Sequence, residues 1–138
     1  MDCLFCKIGS GELASDTVFE DNDVRVFQDL HPKAPVHLLI IPKIHIPSIA
    51  HLQENHNAII AHMIFTAKHV AQAKGLKGFK LVFNVGREGG QVIDHLFSED
   101  FAANIKKFST RFSYYVYSTN NRWTYFIKKK YINGPQIL

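Results

Sequence analysis

A single segment of the chain has helical periodicity, and short strand-like runs lie on both sides of it. Between residues 53 and 74, Ile59, Ile60, Met63, Ile64, Ala67 and Val70 recur at threes and fours, so one face of a helix is apolar. Gly75 follows, where a helix commonly stops. Residues 16–27, DTVFEDNDVRVF, set a turn-forming Asp-Asn-Asp between two short alternating stretches, the pattern of a β-hairpin. HLLIIP at 37–42 reads as a buried strand and FKLVFNV at 79–85 as the next. QVIDHLF at 91–97 reads as a central strand, after the glycine-rich turn GREGGQ. Strands before and after one long helix give an α+β sheet domain. A chain of 138 residues accommodates one such domain and not two ordinary ones.

Composition changes abruptly near the end of that last run. All 12 acidic residues lie at or before Asp100, so residues 1–100 carry a net charge of −3 and residues 101–138 carry +7. All five tyrosines and the single tryptophan follow residue 100, and all eight histidines precede it. A basic, aromatic-rich segment is one form of nucleic-acid or partner surface. A tail rich in Phe, Lys, Asn, Ile and Tyr is also what out-of-frame translation of AT-rich DNA gives, and that reading is the stronger. Within the tail, 112–118 and 123–129 read as the two strands of a hairpin. No run approaches the roughly 20 apolar residues of a membrane helix, and the N-terminus lacks a basic-then-apolar signal pattern. The expected location is the cytoplasm, with no membrane partner.

Cys3 and Cys6, two residues apart, are the only cysteines, a spacing better suited to sharing a metal or a redox task than to stapling a fold. A thioredoxin-like context for a redox pair is missing. His56, His62 and His69, within the helix segment, read as surface or helix-face residues, since no acid or cysteine lies beside them at ligand spacing.

Four pieces in order carry a family resemblance: CLFCKI at Cys3, VFQDLHPKAPVHLLIIPKIHI at Val26, FKLVFNVGREGGQ at Phe79 and VIDHL at Val92. Together they resemble the Hint-like branch of the histidine-triad (HIT) family. The resemblance covers roughly residues 1–97 as a HIT-like domain core and leaves 98–138 as a divergent extension. It implies a mostly antiparallel sheet of about five strands, one long helix and a short N-terminal helix, a homodimer, purine nucleoside or nucleotide binding, and hydrolysis or transfer at the α-phosphate.

The resemblance also implies site residues. Asp29 matches the carboxylate that accepts the ribose hydroxyls. Phe5, Ile8, Phe27 and Leu30 match the apolar walls around the purine, although ordinary core packing uses the same residue types. Gly89, Gly90 and Gln91 match the phosphate turn, where missing side chains let backbone N–H groups approach. Asn84 matches a residue supporting the phosphate by hydrogen bonding. Some bacterial relatives hold a structural zinc through two N-terminal cysteines, the histidine of Pro-Lys-x-His and the first triad histidine, which here are Cys3, Cys6, His45 and His95.

The family signature is a strand reading His-x-His-x-His, whose side chains share one face because strand residues alternate. Here the matching positions are His95, Phe97 and Glu99. The middle histidine is the family's nucleophile, and phenylalanine has no lone pair with which to attack phosphorus. His37, matching the histidine that buttresses the nucleophile, is left with His95 as a remnant of the catalytic set. Glu99 brings negative charge toward a phosphate. The chain therefore reads as a HIT-type nucleotide-binding protein with catalysis lost or severely impaired. The alternatives are a nucleotide sensor or partner-binding protein using the pocket or basic tail, and a frameshifted form of an active hydrolase; nucleic-acid binding is not expected.

Overall fold

The structure, a computed structural model, describes residues 2–102. Its elements are α1 (Leu4–Ser10), β1 (Thr17–Glu20), β2 (Val24–Gln28), β3 (Val36–Pro42), α2 (Asn57–Ala73), β4 (Lys80–Val82) and β5 (Ser98–Ala102), with short 3-10 turns at Ile49–His51 and Glu54–His56 before α2. The five strands form one antiparallel sheet in the order β1-β2-β3-β5-β4. This is the α+β arrangement expected, with the hairpin, the long helix and the short N-terminal helix in place. Gly75, at φ 68°, turns the chain just beyond α2, as its position implies.

Alternation along β3 builds two cores on opposite faces of the sheet. Leu38 and Ile40 face α2 and pack with Val24, Val26, Met63, Ala67 and Val70. Leu39 and Ile41 face the other way and pack with Phe5 and Ile8 of α1, Phe27 and Phe97. From α2, Met63, Ala67 and Val70 are buried as the periodicity implies, whereas Ile64 is 47% exposed. His62 is not a bare surface residue, because its Nε2 lies 2.6 Å from Asp21 Oδ2 in the β1–β2 turn.

The last strand lies later in the chain than its sequence suggests. Residues 91–97 are not a strand, and the ladder beside β3 is made by Ser98–Ala102. Ser98 pairs with Ile40, so continuing the ladder backward would bring Leu96 opposite Pro42. Pro42 has no N–H to donate, and its carbonyl already accepts from His95 Nε2 at 2.8 Å. Leu96 N–H donates instead to Ile46 O at 2.6 Å. The Gln91 side-chain amide occupies the carbonyls of Pro47 and Ile93, which holds 91–97 as a folded loop. The strand expected at 79–85 is likewise shorter, at Lys80–Val82. The hairpin expected of 112–118 and 123–129 lies outside the described residues.

Candidate functional site

On the α1 side of the sheet lies a cavity of about 670 Å³. Strand alternation aims Phe27 and Leu39 into it, and α1 adds Phe5 and Ile8. Phe5 meets the Phe27 ring edge-on at 5.8 Å between centroids and the Phe97 ring at 5.2 Å, so three aromatic side chains share one bed. Leu30, 88% exposed, stands at the rim.

The polar end of the cavity is formed by Asp29, Asn84 and Glu99 around the buried His37. Lys33 N–H donates to His37 Nδ1 at 3.1 Å, which leaves the ring proton on Nε2. That nitrogen lies 3.3 Å from Asp29 Oδ2 and 3.3 Å from Glu99 Oε1. Asn84 Nδ2 donates to Glu99 Oε2 at 3.1 Å, and His31 N–H donates to Asp29 Oδ1 at 2.8 Å. His37 is therefore in contact with Asp29 and Glu99.

Of the residues matched to nucleotide binding, Phe5, Ile8, Phe27, Asp29, Leu30, Asn84 and Gly90 line this cavity, and Gly89 and Gln91 do not. Gln91 is buried, its amide N–H groups turned to backbone carbonyls and its Oε1 accepting from Gly86 N–H at 2.9 Å. Gly89 is required by the turn, since a Cβ there would run into the Val85 carbonyl. Both residues shape the loop that presents Gly90. Leu39 also lines the cavity, and alternation from His37 along β3 was enough to place it there.

His95 and Phe97 part company, because residues 91–97 do not form a strand. Phe97 and Glu99 face the cavity, while His95 is fully buried with its ring directed to the N-terminus. Its Nε2 donates to Pro42 O, so the lone pair on Nδ1 faces Cys3 Sγ at 3.5 Å and Cys6 Sγ at 3.5 Å. His45 Nδ1 lies 3.3 Å from His95 Nδ1 and 3.2 Å from Cys6 Sγ. Burial holds the His95 pKa below its ordinary value, keeping the imidazole in the form that binds metals. Burial, with the neighbouring Cys3 thiol, pushes the Cys6 thiol up to about 11. The four ligand atoms of Cys3, Cys6, His45 and His95 all lie within 4.8 Å of one another, an arrangement geometrically compatible with one metal ion.

Residues 2–98 match the family model described as scavenger mRNA decapping enzyme C-term binding. Protein HitA of Neisseria gonorrhoeae is 43% identical over 96 residues, covering 69% of this chain and 90% of that protein. The purine nucleoside phosphoramidase of Escherichia coli K12 is 37% identical over 97 residues, covering 69% and 82% respectively. Among solved structures, a HIT family hydrolase from Legionella pneumophila superposes with a TM-score of 0.73 at 43% identity, covering 75% of this chain and 94% of its own. A histidine triad protein from Clostridium difficile gives 0.73 at 39% identity, covering 75% and 92%. With the sheet, the helix and the cavity agreeing with these matches, the chain belongs to the histidine-triad superfamily of nucleotide-binding and hydrolase folds.

Proposed function

We propose that this chain is a purine nucleoside- or nucleotide-binding member of the superfamily, related to the phosphoramidases, in which turnover is lost or severely reduced. The observation that carries the reading is Phe97, buried against Phe5 in the cavity wall at the position matched to the nucleophile. A phenyl ring offers neither lone pair nor proton, so no covalent nucleotidyl intermediate forms there. The apolar bed of Phe5, Ile8 and Phe27 remains suited to a flat base, and Asp29 to ribose hydroxyls. Assay of an adenosine phosphoramidate decides the point. No turnover is expected under conditions where an intact relative is readily measured, and a rate near that of the relative overturns the reading.

Zinc is the metal we assign to Cys3, Cys6, His45 and His95. Tetrahedral zinc with bonds near 2.3 Å to sulfur and 2.0–2.1 Å to nitrogen has edges of about 3.3 Å between nitrogens and about 3.5 Å between nitrogen and sulfur. The nitrogen pair here is 3.3 Å apart, and three of the four nitrogen–sulfur separations are 3.2, 3.5 and 3.5 Å. Two thiolates and two imidazoles close the coordination shell, so the role is structural: the ion would tie α1 to the sheet. A reducing, cytoplasmic location agrees with free thiols in this role. No described helix is long and apolar enough to cross a membrane. A homodimer would cover the exposed Ile64 and Phe65 on the outer side of α2.

A second reading is favoured by Ser98 and Asp100. Both side chains are buried on the α2 side of the sheet, and neither finds a hydrogen-bond partner among the described residues. Polar groups left unsatisfied in an apolar layer are what an unrelated reading frame inserts. On this reading residues 98–138 are a frameshifted replacement for the end of an active hydrolase. Translating the DNA beyond the His95 codon in the other two frames tests it; a His-x-His sequence there is the expected result, and its absence removes this alternative.

A further inference from the structure

The polar end of the cavity carries a charge pattern opposed to a bare phosphate. Asp29 Oδ2 and Glu99 Oε1 both point at the single Nε2 proton of His37, each at 3.3 Å, longer than a well-formed hydrogen bond. Nδ1 faces Lys33 N–H and offers neither carboxylate a donor. The Asp29 and Glu99 side chains are 22% and 13% exposed, so water screens them only in part. Among the described residues the charged lining of the cavity is Asp16, Asp29 and Glu99 against Lys33. Phe97 and Phe5 line the same cavity as these carboxylates.

We propose that the Asp29–His37–Glu99 end of the cavity is a cation seat: the ligand places a positive charge between the two carboxylates, where relatives place a phosphate. His37 is the positioning residue that holds both carboxylates toward one point. The positive charge has two sources, an ammonium group carried on a nucleoside or a hard divalent cation accompanying a nucleotide phosphate. Magnesium and manganese ions are commonly held in the second manner, by one or two carboxylates together with substrate phosphate oxygens. The inference rests on the purine-pocket reading above for its nucleoside, but the seat itself is tested without one.

Calorimetry on the zinc-loaded full chain compares adenosine, 5′-amino-5′-deoxyadenosine and adenosine monophosphate in buffer free of divalent ions, then the monophosphate with Mn²⁺. The amine is expected to bind roughly tenfold tighter than adenosine, and the monophosphate more weakly than adenosine. Glu99→Gln, which keeps a side-chain oxygen for Asn84, should erase the amine's advantage. Glu99→His should reverse the order in favour of the monophosphate, a gain of function that misfolding does not produce. If Mn²⁺ restores monophosphate binding in a Glu99-dependent manner, the source is the metal; if only the amine gains, it is the ammonium group. Mn²⁺ alone, followed by electron paramagnetic resonance, should bind the parent and lose affinity in Glu99→Gln but not in Asp21→Asn, which alters the separate Asp21–Asp23–His62 group. Tighter binding of the bare monophosphate, or cation binding indifferent to Glu99, overturns the seat. Failure of adenosine itself to bind defeats the purine reading and leaves the Mn²⁺ measurement to decide the seat alone.

Discussion

On the proposed reading Phe97 closes off catalysis, and its ring also repacks the site. Its ring lies 5.2 Å from Phe5, so a contact between two aromatic side chains now occupies the space in which an imidazole would face substrate. Replacing it by histidine puts a polar ring among Phe5, Phe27 and Leu39, beside a His37 already engaged with Glu99. Phe97→His is therefore expected to recover little turnover, at least about 100-fold below an intact relative, because a covalent nucleophile works only within its supporting set. Single-turnover kinetics on the phosphoramidate check this, and a rate within tenfold of the relative would show that Phe97 is the whole defect. The residue identities at this site were readable in the sequence because each sits at a fixed interval within a motif. Their directions were less uniformly so: His95 turns to the cysteines, as the implied metal set has it, and not to the face shared with Phe97 and Glu99, its Nε2 being bound to the Pro42 carbonyl across 53 residues.

β5 joins the cavity to the helix-side core. Glu99 lines the cavity, but Ser98 and Asp100 pair with Ile40 and Leu38 and so share the face that packs on α2. Asp100 is fully buried, both carboxylate oxygens lack hydrogen-bond partners among the described residues, and burial pushes its pKa up from 3.8 to about 6. The sign of the pH effect follows. The unfolded chain releases this proton near pH 4 while the folded chain keeps it to about 6, so the folded state loses stability as pH rises between those values. Asp100→Val removes the penalty and supplies an apolar side chain. The variant should gain about 2 kcal/mol at neutral pH, or several degrees in Tm, and its advantage over the parent should grow from pH 4 to 6 and stay level above. Subtracting the two melting profiles isolates Asp100 from other groups, among them His95, whose depressed pKa costs stability in the opposite sense as pH falls through the range below 6.5. A flat difference across pH would mean that Asp100 finds a partner in solution. Hydrophobic patterning identified the hairpin and α2; β2 and α2 bury apolar residues as the pattern implies, whereas β1 is exposed throughout. It misplaced β5, because SEDFA lacks the alternating apolar signal and is recruited by the open edge of β3.

At the scale of the molecule, the cluster of Cys3, Cys6, His45 and His95 gathers three separated stretches of chain. Cys3 and Cys6 belong to the N-terminal segment, His45 follows β3, and His95 precedes β5. A metal bound there couples α1, and with it Phe5 and Ile8 of the cavity wall, to both central strands. The unfolded chain has no such preformed cluster, so the binding free energy adds to folding stability. Chelation should lower Tm by on the order of 10 °C and weaken nucleoside binding together, since both depend on the seating of α1. Metal analysis of His45→Ala should show loss of zinc with a matching fall in Tm, and chelator should then have no further effect on that variant. Zinc uptake must also release protons: in the metal-free protein burial and Cys3 hold the Cys6 thiol protonated, with its pKa at about 11, so at pH 7.5 at least one proton leaves for each ion bound. Calorimetry in buffers of different ionisation enthalpy counts those protons. Unchanged melting after chelation, or zinc uptake without proton release, would separate these four side chains from any structural metal.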